Sequence, residues 1–253
     1  AFFFYDRKER SITMEYYRQS GEAAMQTLQT NRDGLSQNEV EKRQARYGKN
    51  KLEEGKHYRY QKMTIDSSSA DTLFQWEGVK AHYRDFEGDA LNRDFVDATG
   101  KGRYYDASAR NDITDVKVVH NATNLYFYIR TANDITPFNG TDVNWMNILI
   151  DTDGKQTGFE GYDFAINRAP KENGKTSVEK SSQGYVWGKE GEADYKVFGN
   201  VMVVTVPLSL LGLTADDCYI RFKVCDNVQD PGNMMSYYVT GDSAPIGRLS
   251  YSY

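Results

Sequence analysis

NLYFYIRT, residues Asn124–Thr131, alternates without a break: Leu125, Phe127 and Ile129 fall on one side of an extended chain, Tyr126, Tyr128 and Arg130 on the other. Side chains of a strand point to opposite faces in turn, so this is a strand with one face turned inward. The same grammar recurs along the chain in VKVVH (116–120), MNILID (146–151), YDFAINR (162–168), GYVWG (184–188), YKVFG (195–199), VMVVTVP (201–207), YIRFKV (219–224) and MMSYYVTG (234–241). Gly, Asn, Asp and Pro clusters separate these runs. The unbroken apolar character of VMVVTV marks a central strand. A parallel sheet would need crossover helices, and no helical periodicity lies between the runs. The pattern predicts a mainly β fold from Met63 onward, an antiparallel β-sandwich.

Upstream of residue 60 the grammar is helical. EYYRQSGEAAMQTLQTNRDG places Tyr17, Ala24, Met25 and Leu28 at helix-face spacing, and Gly34 stops the run. In the following GLSQNEVEKRQARYGKNKL, Ser36 and Glu39 form a capping box, Leu35 and Val40 occupy the positions of a hydrophobic staple, and Gly48 ends the helix. Residues 14–58 therefore read as a two-helix segment. Residues 1–13 read as a leader-like extension, or the whole N-terminal third reads as a product of gene joining; the alternative to both is an ordinary helical extension.

Bulk properties narrow the function. The 253 residues carry a net charge of −5, whereas phosphate binding needs a basic surface, so nucleic acid is not an expected partner. No apolar run approaches the length of a membrane span, and AFFFY at the start lacks the flanks of a signal peptide. Cys218 and Cys225 lie on one extended run, about 23 Å apart at strand rise, too far to be bridged. His57, His82 and His120 are scattered, and no nucleophile elbow, phosphate loop or Cys-x-x-Cys is present. A catalytic constellation is not legible.

Two resemblances add to this. GLSQNEVEKRQARYGKNKLEEGK resembles the N-terminal segment of P-type cation-transporting ATPases, calcium pumps in particular, over about residues 14–56. The phosphorylation motif and membrane helices of those pumps are missing, so transport is not implied. TIDSSSADTLFQWEGV, NDITDVKVVHNATNLYFYIRT, LIDTDGKQTGFEGYDFAINR, VPLSLLGL and the ending DNVQDPGNMMSYYVTGDSAPIGRLSYSY resemble, in order, family 9 carbohydrate-binding modules and the wider DOMON-like group. That resemblance covers residues 62–253 and implies a jelly-roll-like β-sandwich that binds saccharide, is non-catalytic and is often stabilised by calcium. It also implies an extracellular or cell-surface protein beside a glycan-processing domain.

The residues suited to sugar can be named. Pyranose rings stack apolar C–H faces on aromatic rings, and their hydroxyls need planar polar partners. Trp187 and Tyr185 stand between glycines in QGYVWGKEG, and Trp145 opens a strand after a polar loop. Asn167 and Arg168 end YDFAINR with groups suited to hydroxyls or to a strand-end salt bridge, and Asp226 and Asn227 open the DNVQDPGN loop as turn residues first and ligand residues second. Trp76 reads as core. Asp151 and Asp153 in DTDG, with Asp163 and Glu160 nearby, are either turn residues or oxygen ligands for calcium. The expectation is a carbohydrate-binding module. The alternatives are a structural sandwich packed on a glycan-processing partner, or a cation-pump fragment joined to an unrelated domain. Haem binding lacks a Met/His axial pair.

Overall fold

The computed structural model describes residues 20–27, 35–47 and 61–253, except 91, 97, 108 and 109. The chain divides into two compact units, Ala1–Tyr58 and Arg59–Tyr253. In the first, helix α1 spans Gly21–Thr27 and helix α2 spans Gln37–Tyr47. Ser36 caps α2: its Oγ accepts from the backbone N–H of Glu39 at 3.3 Å, while its carbonyl accepts from Val40 at 2.9 Å. The side-chain bond satisfies one of the orphan amides of the first turn. Ser20 does the same for α1 through Ala23. Residues 1–13 and Tyr17, Leu28, Gly34, Gly48 and His57 lie outside the described residues.

The described residues of the second unit form thirteen strands: β1 (His82–Arg84), β2 (Arg93–Val96), β3 (Arg103–Asp106), β4 (Ile113–His120), β5 (Asn124–Thr131), β6 (Asn147–Asp151), β7 (Phe164–Ile166), β8 (Lys175–Gln183), β9 (Val186–Phe198), β10 (Val201–Pro207), β11 (Arg221–Asp226), β12 (Asp242–Ala244) and β13 (Tyr251–Ser252). Eleven form one antiparallel sheet in the order β1-β4-β5-β10-β9-β8-β7-β6-β11-β12, with β13 also on β11, and β2–β3 is a separate hairpin. The sheet folds over on itself. The 13-residue β9 pairs with β10 on one side and β8 on the other, carrying the sheet between the two layers.

The core lies between the layers. Val116 and Val118 of β4, Leu125, Phe127 and Ile129 of β5, and Met202, Val204 and Val206 of β10 face Ile148, Ile150, Phe164, Ile166, Phe222 and Val224. Phe127 meets Phe222 edge to face, centroids 5.4 Å apart. The alternation in NLYFYIRT is thus the alternation seen. Its outward Tyr126 is nonetheless buried, because residues 61–79 cross the outer face of this layer and set Ile65, Trp76 and Val79 against Val119, Tyr126, Val201 and Val203. Trp76 sits in a 3-10 helix, Ala70–Gly78, capped by Ser69. Covered on both faces, β10 reads as a continuous apolar run, the expected mark of a central strand.

The folded sheet closes where β1 approaches β12 and β13. Tyr83 packs on Phe222 and Tyr251, at 5.2 and 4.8 Å between centroids, and donates to the carbonyl of Ser252. The amide of Ile113 donates to Asp242 Oδ2 at 2.6 Å. Cys218 and Cys225 are free and buried, as their spacing requires, and burial pushes both thiols up to about 12.

Besides the short strands β1, β2, β3, β12 and β13, which none of the expected runs contained, three elements differ from expectation. MMSYYVTG forms a helical turn, α3 (Ser236–Val239), instead of a strand. GYVWG and YKVFG belong to the one strand β9, whose internal Gly191 is a close-approach glycine: a Cβ there would lie 2.7 Å from Leu210. The polar strand β8, KTSVEKSSQ, buries only Thr176, Ser177 and Val178, so hydrophobic pattern did not disclose it.

Candidate functional site

The outer face of the second layer carries an aromatic cluster. Leu149 of β6, Ala165 of β7 and Cys225 of β11 point outward, under Phe159, Tyr162, Val228, Met234 and Tyr237. Tyr185 and Trp187, at the start of β9, pack against this cluster and remain partly exposed. The two rings stand at 87° with centroids 5.6 Å apart, and Phe159 meets Tyr185 at 4.9 Å. The loop at Gly232 packs beside Tyr185, where a Cβ would lie in ordinary contact at 3.5 Å.

Arg168 completes the patch. Its guanidinium carbon lies 5.3 Å from the Tyr185 ring centre and 5.8 Å from that of Trp187, and Nη1 pairs with Glu179 of β8. A guanidinium is held well in this way, stacked on rings and bonded in its plane. Trp187 Nε1 is buried with no partner. Three of the five expected saccharide residues, Tyr185, Trp187 and Arg168, therefore meet at one place.

The other two do not. Trp145 is 3% exposed, inside the core, with Nε1 donating to the Thr136 carbonyl at 2.7 Å and its ring against Phe138 and Tyr195. A ring so placed offers no face to a ligand. Asn167 is fully buried with φ of +70°, a conformation that Asn tolerates better than most residues. Its Nδ2 donates to the carbonyls of Trp145 and Met146 at 3.0 and 3.1 Å. It brackets two segments. Asp226 is buried too, accepting from the Met146 amide at 3.0 Å and from Arg110 Nε at 2.9 Å. Burial raises its pKa to about 6. Asn227 donates its amide to the Asn144 carbonyl at 2.7 Å.

The acids of DTDG do converge. Asp151, Asp153 and Asp163 can each place an oxygen within 4.8 Å of the others. Most of their oxygens already accept hydrogen bonds. Asp151 Oδ1 accepts from the amides of Asp153 and Gly154 at 3.0 and 2.8 Å, and Oδ2 from Arg221 at 2.7 Å. Asp163 Oδ2 takes the amide and hydroxyl of Thr152, and Asp153 is bonded to Lys155. This is turn chemistry with its own countercharge.

A second acidic group fits a divalent cation better. Asp85, Asp89 and Asp242 come equally close at the seam where the sheet closes. Asp85 Oδ2, Asp89 Oδ1 and the neighbouring Asp112 Oδ1 are buried without a partner. Burial, and then Asp89, push Asp85 up to about 6, and Asp242 is raised well above the usual carboxylate range by burial and by Asp89. Buried carboxylates without donors are costly unless a proton or a cation joins them. Sequence reading missed this group because its members are brought together from distant parts of the chain.

Comparisons with known proteins give two counterparts. A family model described as "Cation transporter/ATPase, N-terminus" matches residues 16–69. No curated protein matches the chain. Among solved structures, a family 9 carbohydrate binding module from Caldicellulosiruptor kristjanssonii, in complex with glucose, aligns with a TM-score of 0.33 and 12% identity, over 73% of this chain and 80% of that one. Both resemblances read from the sequence thus have a counterpart, and each is a similarity and no more: the matched segment is a minor part of the chain, and the structural likeness is distant.

Proposed function

We propose that residues 62–253 are a saccharide-binding module whose contact face is built on Tyr185, Trp187 and Arg168. The observation that carries this reading is their convergence: two partly exposed rings at right angles, a guanidinium across both, and an indole N–H without a partner. The guanidinium rests on the aromatic surface that the apolar face of a pyranose would use. Displaced by a sugar, Arg168 keeps Glu179 as its anchor and presents N–H groups to hydroxyls at the rim. The reading needs no chemistry beyond binding. An extracellular or cell-surface location belongs to the same proposal. Calcium, where bound, would be held by Asp85, Asp89 and Asp242, with Asp112 beside them, and would add to the positive charge that Lys223 and Arg93 already set near these carboxylates.

Calorimetric titration of the full chain against gluco-, xylo-, manno- and galacto-oligosaccharides tests this. Trp187→Ala is expected to weaken binding by about tenfold or more, the loss typical of a central aromatic anchor. Equal affinity in a folded variant would remove the proposed face.

A second reading has an observation of its own. The β2–β3 hairpin and the loop before it expose Phe86, Phe95, Val96 and Tyr105, each more than half accessible. Phe95 lies on one face of the hairpin and Val96 and Tyr105 on the other, so a partner would cover apolar groups on both faces. This favours an accessory role, in which the sandwich also packs on a partner domain.

A further inference from the structure

The outer face of the first layer is only partly covered. Residues 61–79 lie over Val119, Tyr126, Val201 and Val203, and beyond them the sheet opens into a groove of about 570 Å³. That volume falls within the roughly 300–1,000 Å³ of small-ligand sites. His82, Arg84, Asp115, Lys117, Tyr128 and Arg130 are among its lining residues. Strand register puts all six in one block: His82 opposite Lys117 and Lys117 opposite Tyr128, Arg84 opposite Asp115 and Asp115 opposite Arg130.

Asp115 organises the floor. Its Oδ1 lies 2.6 Å from His82 Nε2, and its Oδ2 accepts from Arg130 Nε at 2.9 Å and from the Thr114 hydroxyl at 3.0 Å. Among the described residues nothing accepts from Arg130 Nη1, and Arg84 has no ion-pair partner. Lys117 Nζ donates to the Trp76 carbonyl at 2.8 Å and lies 5.7 Å from the centre of the Tyr128 ring. These side chains are held in place by one another, so a ligand meets donors and acceptors already aimed.

The balance of groups selects the ligand. Arg84, Lys117 and Arg130 are matched by Asp85, Glu87 and Asp115 along the same groove. An anion gains little from such a surface, and an apolar ligand would desolvate the ion pairs without replacing their hydrogen bonds. A neutral polyol suits it, because each hydroxyl both donates and accepts. We propose that this groove is a second saccharide site, for internal units of a neutral chain. With Tyr185 and Trp187 on the outer face of the opposite layer, one sandwich would hold two glycan chains at once.

The test is a titration of the ¹⁵N-labelled full chain with cellotetraose, xylotetraose and mannotetraose, in the wild type, in Trp187→Ala and in the double variant His82→Ala/Lys117→Ala. The amides of Asp115, Lys117, Tyr128 and Arg130 are expected to shift with at least one of the three sugars and to go on shifting in Trp187→Ala. The double variant is expected to bind about tenfold more weakly, the loss of a charge-assisted hydrogen bond. The wild-type map carries the test even if that variant fails to fold. Shifts confined to the Tyr185–Trp187 face, unchanged affinity in a folded double variant, or groove amides that stay still with all three sugars would each overturn the proposal. Shifts in the groove with none around Trp187 would uphold this site and remove the other.

Discussion

Trp145 and Trp187 show how little residue type alone decides. Both stand in a polar setting in the sequence, yet Trp145 is sealed between Phe138 and Tyr195 while Trp187 reaches the surface under Arg168. The difference is long-range, because Trp145 is buried by β9 through Tyr195, fifty residues later. Trp145→Ala is expected to cost about 3–5 kcal/mol of stability, as for other large buried aromatics, in a denaturant melt of the full chain. Sugar affinity of the folded fraction should be unchanged. A large loss of affinity with little loss of stability would return Trp145 to the binding surface. Tyr185, Trp187 and Arg168 were legible because flanking glycines and a strand end marked them locally. Glu179, the partner of Arg168, was not, since it sits on a strand with no apolar pattern.

Among the elements, β5 was the most legible and β8 the least, for the same reason. A strand is visible in sequence when one face is buried and the other is not. The tyrosines of β5 gave that contrast, although residues 61–79 later cover Tyr126. β8 buries little and is held by its neighbours β7 and β9. α3 misled because aromatic and β-branched residues serve a short buried helical turn as readily as a strand. Gly191 illustrates the turn signal that was not a turn: it lies inside β9, where Leu210 occupies the space a side chain would need. Gly191→Val should force Leu210 aside and cost about 1–3 kcal/mol, the range for overpacking a well-filled site. Chemical denaturation reads this directly. A neutral or stabilising effect would show that Leu210 has room to move.

For the whole molecule, the seam matters most. A sheet folded over on itself leaves two edges that must be joined, and here β1 meets β13 through Tyr83 and Tyr251 while β4 meets β12 through Ile113 and Asp242. The carboxylates of Asp85, Asp89 and Asp242 gather at that junction. Calcium is therefore expected to raise the melting temperature of the full chain and a chelator to reverse it. At a hundredfold excess over Kd the gain would be about 2.7 kcal/mol. Asp89→Asn should abolish the response and Asp153→Asn should leave it intact. The opposite pattern would move the cation to DTDG. Fold class was legible from strand count and alternation, but the seam was not, because no local pattern links residues 85, 89, 112 and 242.

The central claim, that sugar lands on Tyr185, Trp187 and Arg168, is most directly tested by the three indole N–H resonances of the ¹⁵N-labelled full chain during an oligosaccharide titration. Trp76 and Trp145 are core residues, and Trp187 alone of the three is partly exposed. The account predicts that the Trp187 indole signal moves progressively to saturation while the other two stay in place. A saturable binding event that leaves the Trp187 signal unmoved would contradict it.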